Sequence, residues 1–491
     1  MIMMPLSATR RVGDHKKNSA VVQKDISRFT KEICISCLFQ WIKWPQILSL
    51  LHSSVQHGQN PAQDYATNLP AAAVSREVGG MGAHWTCCTP RQHEDERSEL
   101  FTDEEWDKLY GEAEKIFRTN STTFDNSIRQ QLIHHELNRL YPSRGFKSMP
   151  LACKRLGSET YVDWTSPASI LGELADPTLS AEDKKYFEIR PSTQLVKFER
   201  SEKDGKITKA LLINLKDEKT FTVTARKYIV CAGAVLTPGI LFNSNFLPKD
   251  LPALGHYLTE QPMAFCQVVL KKSLVEKVKE HHLRHPHWKE LADKHKEKFP
   301  ADPVPIPFND PDPQLYFPYT PDSPWHGQVH RDAFGYGEVP PTVDQRLVVD
   351  FRWFTYVKPQ KTNCVTFSSG ITDTLGMPQP TFHFRVDNPE DEERCANMIS
   401  DMIEIARRLG GFLPGAEPKY LPMGSALHIC GTYRAGTDKK ESVVDRHSKV
   451  WGHDNLVLGG CGVIPTGSAC NPTLTAACFA LAAVEQVIKE L

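Results

Sequence analysis

The chain has 491 residues, 40% hydrophobic and 24% charged, with 58 basic against 59 acidic side chains and a net charge of −1. That length exceeds one simple core and predicts two large domains or one elaborate one. Balanced charge provides no basic field for nucleic acid or an anionic membrane, so a small or neutral ligand is expected. Thirteen cysteines are too sparse for a disulfide framework, and Cys231, Cys266 and Cys478 lie in apolar segments where a buried thiol is the ordinary state.

The first residues lack a basic region followed by an apolar run, so no signal peptide is expected, and an intracellular location, cytoplasmic or periplasm-like, follows. Residues 33–51 are apolar but broken by Gln40, Lys43, Pro45 and Gln46, whereas a membrane span needs about 20 mostly apolar residues. A buried or oligomer-forming amphipathic segment is expected there instead. Cys34 and Cys37 have CxxC spacing without a second pair at ligand distance, so no metal is assigned.

Next come Val78, Gly79, Gly80, Met81, Gly82, Ala83, His84, Trp85 and Thr86. Glycines let a backbone turn sharply or approach a flat ligand closely, and His84 is placed to meet whatever lies against the loop. A glycine turn followed by a core histidine and tryptophan accounts for the same residues.

Helical spacing of Trp106, Leu109, Ala113 and Ile116 follows among charges. From 186 the pattern turns to strands: 187–198, 210–215 and 221–223 alternate around a turn at 202–205, as a meander would. Residues 227–234 read as a buried strand entering a glycine turn, with Thr237 and Pro238 capping a helix over 239–244. Residues 271–325 are rich in Lys, His and Pro and are expected to form a surface excursion. Its His281, His282, His285 and His287 lack a carboxylate or thiolate shell and read as a solvated face. Residues 346–356 alternate as a strand, 390–409 as an amphipathic helix, and 455–460 as a strand. Pro472 then opens a helix with Leu474, Ala477, Cys478, Leu481, Val484 and Ile488 on its apolar side. The positive end of that helix suits negative charge on a ligand, and Asn471 stands just before it with donor and acceptor both available. His428 is expected on an apolar strand that ends at a glycine, either as a satisfied core residue or as a functional one.

Two strand–glycine–helix units, near Gly233 and Gly460, flank a long insertion and suggest a nucleotide-binding layer interrupted by a substrate domain. With the loop at 79–90, the 230–238 segment, the run 328–336, and the C-terminal motifs at 427–432, 459–462 and 471–475, the chain resembles the glucose–methanol–choline oxidoreductases. The resemblance implies a mixed α/β fold: a discontinuous FAD-binding Rossmann-like domain (1–100, 186–255, 420–491) interleaved with a substrate domain (101–185, 256–419) on a largely antiparallel sheet. It implies FAD bonded covalently through His84, with Gly80, Trp85, Thr86, Ala232, Gly462 and Thr473 also at the cofactor. His428 would be the catalytic base and Asn471 its partner. Gln328 and His330 would contact a monosaccharide, and Asp332, Phe334 and Tyr336 would sit on a gating loop. The implied reaction oxidises an aldopyranose at C2, passing hydride to flavin N5 and electrons to O2 or a quinone. Family members are commonly homotetramers.

The family's strand–GxGxxG–helix unit does not occur in this sequence. The chain is therefore expected to be an N-terminally shortened product that lacks the central strand of the cofactor sheet. The alternatives are a relative preferring quinones or another sugar carbon, and a truncated homologue without activity.

Overall fold

A computed structural model describes residues 60–64, 68–76, 78–83, 85–155, 162–175, 180, 182, 186–279, 288–330 and 339–491. The apolar segment at 33–51, Cys34, Cys37, the four histidines at 281–287, His84, Asp332, Phe334 and Tyr336 lie outside the described residues. The architecture is mixed α/β with mainly antiparallel sheets, as expected.

Helix α1 (Asp103–Phe117) begins in a capping box: Glu105 N–H donates to Thr102 Oγ1 at 3.3 Å and Thr102 N–H to the Glu105 carboxylate at 2.9 Å. Its buried Trp106, Leu109, Tyr110 and Ala113 fall three and four apart, and so share one face. Helix α2 (Ile128–Leu140) is capped by Ser127. The expected meander is present as β1 (Thr193–Arg200), β2 (Ile207–Asn214) and β3 (Thr220–Val223), all antiparallel; 187–192 is irregular rather than strand. Strand β4 (Tyr228–Val230) then enters α3 (Gly233–Asn243).

Helix α3 corrects the expectation that Thr237 and Pro238 cap a helix starting at 239. It starts six residues earlier, with Pro238 inside it. Proline has no N–H for the carbonyl four residues back, which normally disfavours an interior position. Here that carbonyl, on Ala234, accepts the Thr432 hydroxyl at 2.5 Å, so a distant side chain replaces the missing helix bond.

The main sheet has seven strands. Strands β5 (Met263–Leu270), β6 (Gln314–Phe317), β7 (Trp325–His330) and β8 (Val348–Thr355) form its body in the order β5–β8–β7–β6, all antiparallel. Gly410–Phe412 and Lys419–Tyr420 extend it beyond β5, and Lys147–Ser148 beyond β6. The stretch at 271–325 is not wholly superficial. Helix α4 (Trp288–Lys298) buries Trp288 and Ala292, Val304 and Ile306 are buried, and β6 is an interior strand. Helix α5 (Pro389–Leu409) follows an Asn388 cap and lays Met398, Met402, Ile405, Ala406 and Leu409 into the core beneath the sheet. Burying a Met, Ile or Leu side chain stabilises by roughly 1.5–3 kcal/mol.

Strand β9 (Leu456–Leu458) pairs parallel with β4, Leu456 opposite Tyr228 and Leu458 opposite Val230. Helix α6 (Thr473–Glu490) follows, packed on α1 through Phe479, which meets Trp106 edge-on at 5.7 Å. Each parallel strand is followed within three residues by a glycine of positive φ, Gly233 at +80° and Gly460 at +102°. No described helix is long and apolar enough to cross a membrane.

Candidate active site

Every residue of β7 and β8 is buried, yet the two faces of this sheet differ in chemistry. One face presents Val329, Phe351, Trp353 and Cys266 to the core with α5. Register places His326 opposite Phe354, Gln328 opposite Arg352 and His330 opposite Asp350 on the other face. Polar side chains at period two in a fully buried sheet require partners or a ligand, because an unpaired buried polar group costs about 1–3 kcal/mol. That polar face is one wall of a cavity of about 980 Å³. The facing wall comes from the Gly79–Gly82 turn, Trp85, Thr86, the start of α3, Gly460, Cys461 and the start of α6.

His428 and Asn471 meet in this cavity, with His428 Nε2 3.3 Å from Asn471 Nδ2. His428 does not lie on a regular strand, as the sequence suggested. Residue 427 has φ +60°, and the segment joins its neighbour through one bridge, Thr259 with Cys430. That twist turns the imidazole into the cavity. Its Nδ1 lies 2.7 Å from Gln261 Oε1. Gln261 Nε2 donates to the carbonyls of Ser468 at 2.6 Å and Cys470 at 2.8 Å. On the other side, Gln328 Nε2 donates to Asn471 Oδ1 at 2.9 Å and to His326 Nε2 at 3.0 Å. The result is a continuous series: Gln261 to His428 Nδ1, His428 Nε2 to Asn471, and Gln328 to both Asn471 and His326.

Electrostatics follow from burial. The protein around His428 pushes its imidazole down to about 3, and burial with the neighbouring His428 does the same to His326. Both rings are neutral near pH 7. Glu260 is 1% exposed, and burial raises its carboxyl to about 8, although it accepts from Gln261 N–H at 2.7 Å and from His428 N–H at 3.1 and 3.2 Å. Arg352, 2% exposed, lines the cavity 3.6 Å from Asp350.

Of the other expected site residues, Gly80, Trp85, Thr86, Ala232, Thr473 and Gln328 line the same cavity. Trp85 is pinned by its indole N–H to Thr165 O at 2.9 Å. His330 is buried on the polar face two residues beyond Gln328 but is not in the cavity wall. Gly462 does not reach the wall either. It packs against the Tyr433 ring, where an added Cβ would fall 2.1 Å from an aromatic carbon, so steric fit accounts for this glycine.

Sequence reasoning missed Glu260, Gln261, His326, Asp350 and Arg352. The last three were within reach: His326, Gln328 and His330 alternate, as do Asp350 and Arg352, inside otherwise apolar strands. Glu260 and Gln261 gave a weaker sign, a carboxylate and an amide just ahead of an apolar strand.

The cavity suits a flat, partly anionic cofactor. A Cβ built on Gly80 or Gly233 meets nothing within 4 Å, so both backbones face open space in the wall. The N-terminal ends of α3 and α6 both reach this wall, where their free N–H groups favour negative charge.

The fold and this site define a class: the chain belongs to the glucose–methanol–choline (GMC) oxidoreductases, FAD-dependent enzymes acting on CH–OH groups. Within it, the chain is similar to pyranose 2-oxidase of Emericella nidulans, 40% identical over 521 residues, which spans 98% of this chain and 84% of that protein. A family model described as GMC oxidoreductase matches residues 359–480. C-glycoside 3-oxidase of Arthrobacter globiformis is 29% identical over 442 residues, 88% of this chain and 77% of that protein. Among solved structures, formate oxidase of Aspergillus oryzae shares the fold, with a TM-score of 0.60 at 15% identity over 85% of each chain.

Proposed function

We propose that this protein oxidises an aldopyranose such as glucose at C2 to the 2-keto sugar. The observation that carries this is the series Gln261–His428–Asn471–Gln328, whose last three members line a large cavity, in a chain 40% identical to a pyranose 2-oxidase. FAD, when bound, supplies the hydride acceptor N5 and passes two electrons to O2, giving H2O2.

The chain's own residues handle the proton. His428 Nε2, neutral and facing the cavity, takes the proton of the sugar hydroxyl, a task worth typically 10²–10⁴-fold in rate. Asn471 Nδ2 donates to the same oxygen as negative charge develops on it. The 3.3 Å Asn471–His428 contact is the longest in the series, and the substrate hydroxyl takes its place. Gln328 fixes the Asn471 amide so that its donor side faces the substrate. We assign sugar contact to Gln328, with His330 two residues further along the same strand supporting that wall, and gating to Asp332, Phe334 and Tyr336. Gly80, Trp85, Thr86, Ala232 and Thr473 would hold the flavin, His84 through a covalent bond to its ring. Assembly as a homotetramer goes with this reading.

The purified protein should be yellow, and its flavin should stay with the acid-precipitated polypeptide. Anaerobic glucose should bleach it, and NMR of the product should show the new carbonyl at C2. A protein that no sugar bleaches would overturn the proposal. The likeness to a C-glycoside 3-oxidase favours one second reading, oxidation at another carbon. Product regiochemistry separates the two, and steady-state rates with O2 against benzoquinone identify the preferred acceptor.

A further inference from the structure

We propose that Gln261 is a positioning residue that sets the tautomer of His428 and ties that ring to the loop carrying Asn471. This rests on the reading of His428 as the base. Gln261 is 5% exposed and uses every polar atom of its amide. Its Nε2 faces two backbone carbonyls, Ser468 O and Cys470 O, which only accept, so the nitrogen end of the amide is assigned by its partners. The oxygen end therefore faces His428 Nδ1 at 2.7 Å, and a carbonyl oxygen also only accepts. Nδ1 must carry the hydrogen. In a neutral imidazole that leaves the lone pair on Nε2, the atom facing Asn471 and the cavity. Reversing the amide would set Nε2–H against Nδ1 and turn the oxygen toward two buried carbonyls.

One side chain thus holds both working groups. Its oxygen end fixes the ring, and its nitrogen end grips the residue immediately before Asn471. The backbone reinforces the link. Thr259 and Cys430 exchange N–H···O bonds at 3.0 and 3.1 Å, and Glu260 accepts the N–H groups of both Gln261 and His428. Residues 259–261 and 428–430 are therefore joined at backbone and side chain, and a flip of the imidazole breaks both its bond to Gln261 Oε1 and its contact with Asn471. Among the described residues, the titratable groups against His428 are Glu260 and Cys430 from these two segments and His326 from β7.

Two variants and one spectroscopic measurement test this. In protein carrying 15N-histidine, the His428 signals are identified by their loss in His428→Asn. The wild type should show the Nδ1–H tautomer, and Gln261→Leu a mixture with Nε2–H. Anaerobic stopped-flow should show flavin reduction slowed by ~10²-fold in Gln261→Leu, with sugar affinity little changed, as for lost orientation rather than lost binding. Gln261→Glu, when protonated, keeps an acceptor for Nδ1 and one hydrogen for the facing carbonyls, so it should recover part of the rate at low pH and lose it as pH rises and its carboxyl ionises. Wild-type signals showing the Nε2–H tautomer would overturn the proposal. So would a Gln261→Leu protein with wild-type reduction rate and pH profile. If Gln261→Leu does not fold, the wild-type tautomer and the Gln261→Glu profile decide. A wild-type protein that no sugar reduces would refute the function proposed above, while the tautomer measurement would still decide the role of Gln261.

Discussion

Glu260 and His428 touch through one backbone N–H, yet burial acts on them in opposite directions. The imidazole falls from 6.5 to about 3, because charging it would place a cation in a protein interior stripped of water. The carboxyl rises from 4.5 to about 8, because two N–H donors do not offset the lost water. Both shifts are stability statements. For His428 and His326 the folded value lies below the unfolded one, so their contribution is complete above about 6.5 and is lost as pH falls toward 3. For Glu260 the folded value lies above, so its contribution is complete below 4.5 and is lost as pH rises toward 8. Glu260→Gln removes that loss. Its melting temperature relative to the wild type should climb steadily between pH 5 and 8, measured by differential scanning calorimetry. A difference independent of pH would mean that Glu260 is already ionised in the fold.

Helix α3 shows how an element depends on a residue far from it in sequence. Its start at Gly233 puts a glycine of positive φ and free N–H groups at the cavity wall, but the same start leaves Pro238 in the interior. Thr432 accepts the consequence by donating to Ala234 O. Thr432→Val should leave that buried carbonyl unpaired and cost about 1–3 kcal/mol. In a Pro238→Ala background the helix regains its own N–H, and the same substitution should cost clearly less. Urea denaturation of the four proteins of this double-mutant cycle measures the difference, and equal costs in both backgrounds would show that Thr432 stabilises by another route. The local pattern at 227–238 contains a strand, a glycine turn and a proline, which together read as a helix capped by proline. Only the neighbour at 432 makes the earlier start possible.

At the scale of the whole molecule, the cavity lies between two layers, each with its own core. One is built on the parallel pair β4–β9 with α1 and α6, the other on the antiparallel sheet with α5. A cofactor bound between them stabilises the fold by linkage, about 2.7 kcal/mol at a free concentration of 100 Kd. A flavin bonded through His84 would make that stabilisation independent of concentration. His84→Ala should therefore yield a protein whose melting temperature rises with added FAD, while the wild type stays constant. A wild type whose melting temperature also climbs with FAD would rule out the covalent bond.

The sequence by itself determined the kinds of element and the segments that border the site. Periodicities of 2 and 3.6, glycine turns and caps are properties of neighbouring residues, so the meander, α5, α6 and the two strand–glycine units could be read in chain order, and motif order pointed to the family. Tertiary structure decided how the site is wired. The His428–Gln261 bond joins residues 167 apart and the Gln328–Asn471 bond residues 143 apart. No local pattern encodes such pairings, because they arise where two separately packed layers close on one cavity. The same holds for charge: whether a histidine is neutral or a glutamate protonated depends on how much water the fold removes, and burial is a property of the whole molecule.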